Sequence, residues 1–420
     1  MLNRKIAPPF IKSASFHLPN PTTYQLLSGV NFHSIEGVQQ DIIKIEFIFK
    51  AGKWFESKVG LSHFTAQMLE RGTIKKTSSQ LAGFFDRYGA HIEISPGLDF
   101  TSLALYSLSK NLHHVLPAFM EMLKTPSFPE NELRQMKEVF IENLKVSSEK
   151  NSFLASKALR KNMFTDTHPY GSSVEPKDVG NILRADLLQY ADEYLIPSEI
   201  FIVSNGDKST INNIIESLST LSMKPSTKTN KNFNQSPNSF FEKIKKPNSV
   251  QSSVRLGKSI ISRNHSDYPD LLFLNHIVGG YFGSRLMKNI REEKGLTYGI
   301  QSSINSPMNE SFMIIGADVN KENEELIFKE IKSELVKLQN TKIEESELEA
   351  AKGHFIGSLQ SETANPFSVA EKVKTIKLFS LPTTYYQTLM ERVYSITPSE
   401  LLTTAQAYLN DDDFFKVAVG

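Results

Sequence analysis

Two groups of residues in this 420-residue chain return downstream at almost the same spacing, and that recurrence limits the folds open to it. Glu132–Leu133, Lys137, Phe140–Ile141 and Leu144 return as Glu347–Leu348, Lys352, Phe355–Ile356 and Leu359, each 215 residues on. Leu187–Leu188, Ala191, Tyr194–Leu195 and Gly206 return as Leu401–Leu402, Ala405, Tyr408–Leu409 and Gly420, 214 residues on. Residues at helical intervals that recur at a fixed offset mark a duplicated unit. A chain of this length also exceeds one ordinary core, so two related units are expected.

Each unit mixes strand and helix patterns. Residues 42–50 alternate as a strand that ends at Ala51–Gly52–Lys53, and helices are expected over about 57–71 and 78–88. Strands follow at 91–95 and 100–108 around a Pro96–Gly97 turn, then helices over 111–124, 130–150 and onward to 195, and a closing strand at 200–204. The fold class is therefore α+β: two homologous halves, each a mainly antiparallel sheet with helices packed on one face. Between them runs a polar, Pro-broken stretch around Lys224–Pro225 and Ser236–Pro237. The halves divide as 1–222 and 250–420, with 223–249 as linker.

Composition narrows the function classes. A net charge of +1 without a basic block argues against nucleic acid as partner. The absence of cysteine rules out disulfides, thiolate metal sites and a cysteine nucleophile. Pro8–Pro9 interrupts the start before an apolar run of signal length, and nothing reaches the ~20 apolar residues of a membrane span. No membrane contact and a cytoplasmic location are expected.

In the stretch Gly60–Thr73, Leu61, Phe64, Met68 and Leu69 fall at helical spacing and Gly72 closes the run. This stretch, the order of elements after it, His168–Pro169–Tyr170–Gly171 and the Pro197–Ser198 break resemble the pitrilysin/insulinase-like zinc peptidases. The likeness is to their processing-peptidase-like branch, and it spans nearly the whole chain. Those enzymes carry H-x-x-E-H, in which two imidazoles one helical turn apart hold zinc and the glutamate polarises the attacking water. This chain has His63, but Ala66 stands at the glutamate position and Gln67 at the second histidine. The third ligand, a glutamate, maps onto Asn143. Glu142 is one residue out of register, a rotation of about 100° on a helix, and Glu70 lies roughly 10 Å along the axis from His63. The expectation is no catalytic residue, no metal and no cofactor in this chain. His63 is read as a half-buried helix residue that hydrogen-bonds a neighbour such as Gln67.

The second half carries Gly279–Gly280–Tyr281–Phe282–Gly283–Ser284–Arg285–Leu286 and then Arg291 through Tyr298. This resembles the family's second signature, whose arginine and tyrosine bind substrate near the scissile bond, and Arg291 and Tyr298 match both types and spacing. A guanidinium offers a fixed fork of donors, and a phenol can donate to a developing oxyanion. Gly295 is expected to turn the chain between the helix and strand that carry them. Adjacent His113–His114 diverge on a helix and are read as a solvated face.

Together the resemblance implies a non-catalytic subunit of a heterodimeric zinc metallopeptidase, whose halves help to enclose a chamber. A sister chain would supply the zinc, and the substrate would be an unfolded peptide added to a sheet edge. The corresponding edge here, near Ala90–Ser95, would be idle. The alternative is a structural scaffold member with no part in proteolysis.

Overall fold

The computed structural model describes residues 18–26, 28–219 and 241–420. The first half runs β1 (Thr22–Gln25), β2 (Asn31–Glu36), β3 (Ile42–Phe49), α1 (Leu61–Met68), α2 (Ser78–Arg87), β4 (His91–Pro96) and β5 (Thr101–Leu108). It continues with α3 (Leu112–Lys124), α4 (Glu130–Ser148), α5 (Asn151–Phe164), α6 (Pro176–Asn181), α7 (Arg184–Tyr194), β6 (Pro197–Ser204) and α8 (Lys208–Ser219). The second half runs β7 (Phe241–Ile244), β8 (Gln251–Ile260), α9 (Tyr268–Asn275), two π-helical segments (His276–Gly280 and Met287–Glu293), β9 (Ile300–Asn305) and β10 (Ser311–Asn320). It ends with α10 (Glu324–Asn340), α11 (Glu345–Ser361), α12 (Pro366–Leu378), α13 (Tyr385–Ser395), α14 (Pro398–Tyr408) and β11 (Phe415–Val419).

The duplication is visible in the topology. The first sheet is ordered β1-β2-β6-β3-β5-β4 and the second β7-β11-β8-β10-β9, the same path apart from the extra β1. Both are antiparallel except for one parallel pair each, β2 with β6 and β7 with β11. Alternation sets the faces: Ile43, Ile45, Phe47 and Phe49 of β3 point into the first helical core, and Met313, Ile315, Ala317 and Val319 of β10 into the second.

Each half also covers the other's opposite sheet face, a feature absent from the sequence patterns. From the first half, α5 lays Ala155, Leu159 and Met163 against Phe415, Val417 and Val419 of β11. From the second, α12 lays Val369, Ala370 and Val373 against Ile48, Phe201 and Val203. The 215-residue offset carries the first residue of α5, Asn151, onto the first of α12, Pro366. The exchange is thus itself duplicated.

Polar contacts lock the α12 seam. Lys44 of β3 pairs with Glu46 at 2.8 Å and with Glu371 at 3.1 Å, and Lys374 reaches Glu46 at 2.8 Å and Glu371 at 2.6 Å. Burial opposes the charge on Lys44, but Glu46 and Glu371 beside it hold its pKa above the lysine range. At another point of contact, buried Asp99 accepts from the Tyr170 hydroxyl, from the Met308 N–H at 2.8 Å and from Asn309 Nδ2 at 3.2 Å.

Two boundaries differ from the sequence reading. The first helix begins at Leu61 because Gly60 takes a left-handed φ of 92°, and the Glu56 carboxylate accepts from the Ser62 N–H at 3.2 Å in place of a capping side chain. Residues 241–244, assigned to the linker, form β7 because Phe241–Ile244 pair with Lys416–Val419 of β11. Residues 223–240 of the linker expected between the halves lie outside the described residues.

Candidate functional site

Two helices build the candidate site. One apolar stripe of α1 (Leu61, Phe64, Met68) is buried in the first core, which turns His63 and Gln67 toward α4. On α4, Glu132, Met136, Val139, Phe140 and Asn143 recur at helical spacing and face back. A cavity of about 440 Å³ opens between them, lined on both walls by these residues and by Arg71. The structure therefore brings His63, Gln67 and Asn143 together, as the expected site requires, while Ala66 is buried behind them at 1% exposure.

The chemistry of this donor set does not fit a catalytic zinc. One imidazole faces two carboxamides, whose neutral oxygens are weak partners for a borderline cation. The His63 ring packs against Phe64 and Phe140, with ring centres 5.6 and 5.3 Å apart, and burial lowers its pKa. It makes no hydrogen bond to Gln67, contrary to expectation: the amide instead donates to the Ile94 carbonyl on edge strand β4 at 3.5 Å. No carboxylate sits where water would be activated. Glu142 is turned to solvent and paired with Lys145 at 2.7 Å. Glu132 does line the cavity, but eleven residues of helix place it about 16 Å along the axis from Asn143. Among the described residues, no group of three or more His, Asp or Glu side chains converges on a metal position.

The second candidate pair is held differently. Arg291 lies in the second π-helical segment, with its guanidinium 4.7 Å from the Phe282 ring centre. It pairs with neither Glu292 nor Glu293 and has no ion-pair partner among the described residues. Gly295 turns the chain at φ 62°. Thr297 then pins the turn by donating to the Asp318 carbonyl at 2.7 Å. Tyr298 stands in this turn, two residues before β9 rather than on the strand, because Thr297 and Gly299 close a local hydrogen bond there. It is 94% exposed, and its hydroxyl bonds to nothing among the described residues.

Sequence reasoning missed Arg71 and Glu132 as cavity residues and Phe282 as the support of Arg291. Glu132 carried a readable signal, since it stands eleven residues before Asn143, three turns along one face of α4, whereas Arg71 follows α1 in a 3-10 turn that its spacing from His63 does not announce. Phe282 carried none. His113 and His114, expected to diverge, have ring centres 3.8 Å apart, with His114 stacked on Tyr88.

Comparison with known proteins bears on both halves. Residues 34–177 match the family described as insulinase (peptidase family M16), and residues 181–354 match the peptidase M16 inactive domain. A Bacillus subtilis protein named an uncharacterized zinc protease, YmxG, is 25% identical over 71% of this chain and 73% of its own length. A Helicobacter pylori protein named a non-peptidase homolog, YmxG, is 22% identical over 88% and 87%. Among solved structures, a peptidase M16 inactive domain from Pseudomonas fluorescens superposes with a TM-score of 0.88, at 24% identity over 96% of this chain and 98% of that one. The periplasmic protease PqqL from Escherichia coli gives a TM-score of 0.79 at 15% identity, over 97% of this chain and 46% of that one.

Proposed function

This chain belongs to the insulinase peptidase family, M16, as an inactive-type member, and on that premise we propose that it is the non-catalytic subunit of a heterodimeric zinc metallopeptidase. The observation that carries the reading is what surrounds His63 in the α1–α4 cavity: the imidazole meets the carboxamides of Gln67 and Asn143, and the one acid of the lining, Glu132, stands about 16 Å along α4 from Asn143. Such a pocket activates no water. A sister chain with an intact motif supplies the zinc, and this chain closes the chamber around an unfolded peptide.

Arg291 and Tyr298 are its contribution to chemistry. A guanidinium on an aromatic platform and a 94% exposed phenol, neither with an ion-pair or hydrogen-bond partner among the described residues, are both available to peptide carbonyls. Donors aimed where charge develops lower the barrier most. The edge strand is less available, since Gln67 already donates to one β4 carbonyl.

The test is reconstitution. Activity should appear only on mixing this chain with its sister. Arg291→Ala or Tyr298→Phe should then lower kcat/KM by about 10–1,000-fold while the complex stays assembled. Unchanged kinetics in the double variant would instead mark the chain as a scaffold. No helix among the described residues is long and apolar enough to cross a membrane. We place the complex in the cytoplasm, and cell fractionation that finds it in a periplasmic pool would reject that location.

A further inference from the structure

The duplicated frame gives the second half a counterpart of the corner where the first holds its cavity. In the first half, Phe64 of α1 packs on Phe140 of α4 with ring centres 5.1 Å apart. In the second, Phe273 of α9 packs on Phe355 of α11 at 5.6 Å. Three residues beyond each first ring stand Gln67 and His276, and three beyond each second stand Asn143 and Ser358. One residue before Phe140 is Val139, and one before Phe355 is His354. The corner that offers a carboxamide and an alkyl group in one half therefore offers two imidazoles in the other.

Those imidazoles converge. His276 Nε2 lies 3.2 Å from His354 Nδ1, and the Ser358 hydroxyl is 3.5 Å from the same His354 nitrogen. Tyr281 stacks on His276 with ring centres 4.5 Å apart and meets His354 at 4.6 Å with the rings tilted by 32°. A tetrahedral ion with metal–nitrogen bonds of about 2.0–2.1 Å holds two nitrogens about 3.3 Å apart. The observed gap, spanned by a ring-to-ring hydrogen bond, is close to that bite, so an ion that displaces the shared proton needs the two rings only to turn toward it. His354 is exposed, so the remaining coordination positions are open to water.

We infer that His276 and His354 form an exchangeable two-imidazole site for a borderline divalent transition-metal ion such as Ni²⁺, Cu²⁺ or Zn²⁺, in the half of the chain that has no peptidase motif. With two protein ligands the site binds more weakly than a structural zinc centre, and its affinity follows the imidazole preference Cu²⁺ above Ni²⁺ and Zn²⁺. It is independent of the proposed role in proteolysis, because it uses none of His63, Arg291 or Tyr298.

The test is calorimetric titration of the chelator-stripped full chain with Ni²⁺ at neutral pH. One ion per chain is expected, with affinity reduced more than about tenfold in His276→Gln and in His354→Gln, and unchanged in His63→Ala. No binding by the wild-type chain, retention in both glutamine variants, or loss in His63→Ala would overturn the assignment. Should the variants fail to fold, the electron paramagnetic resonance spectrum of Cu²⁺ on the wild-type chain decides. Coupling to two imidazole nitrogens supports the site, and its absence rejects it.

Discussion

The two halves share a strand order and an exchanged helix, yet differ at the corner between α1 and α4 and its counterpart between α9 and α11. In the first half that corner is a cavity of about 440 Å³ with His63, Gln67 and Asn143 on its walls. In the second it holds His276 and His354 in contact, with Tyr281 stacked on His276. The frame is fixed by buried side chains that both copies need, such as Phe64 with Phe140 and Phe273 with Phe355. The corner residues point away from those cores, so the fold tolerates a polar amide, an alkyl group or an imidazole there.

The largest effect expected comes from rebuilding the missing parts. Ala66→Glu, Gln67→His and Asn143→Glu together should take the His63 cavity from no zinc to one tightly held zinc per chain, measured by metal analysis after dialysis. Gln67 and Asn143 already face the same space as His63, and two imidazoles with one carboxylate form a sufficient protein ligand set. Failure to bind would show that the helices have drifted apart as well as lost their ligands.

A smaller effect concerns how the halves hold together. Glu46→Gln should cost about 3 kcal/mol in chemical denaturation, since Lys44, with its side chain 7% exposed, would lose its nearest carboxylate. A cost near zero would mean that the apolar contacts of α12 alone secure the seam.

The smallest is a pH effect. His168 is buried, and its Nδ1 accepts from the Tyr170 N–H at 3.0 Å. Burial, and then the Lys53 charge, lower its pKa from 6.5 to about 4. Between those values the unfolded chain binds the proton and the folded chain does not, so stability falls as pH drops through that window. His168→Asn, which keeps an acceptor for the Tyr170 N–H, should flatten the acid-side slope by up to about one proton. An unchanged slope would show that His168 titrates normally.

Much of the frame was legible in the sequence because it repeats: the helix pair around Phe140 and Phe355 could be found by counting. The degenerate site was legible because a zinc motif is a fixed spacing of side chains on one helix. The exchange of α5 and α12 was not, since their apolar residues read as ordinary amphipathic helices and nothing local says which sheet they cover. The π-helical turns and the position of Tyr298 depend on hydrogen bonds that the Ile290 and Asp318 carbonyls accept from Leu296 and Thr297 across segments. His276 and His354 stand 78 residues apart and form no motif. Aligning the halves on their phenylalanines would have paired them with Gln67 and Val139.

The most direct measurement is peptide hydrolysis by the purified chain alone, with zinc supplied, beside its His63→Ala variant. A non-catalytic subunit gives no hydrolysis in either sample. Hydrolysis by the wild-type chain that disappears in His63→Ala would contradict the assignment.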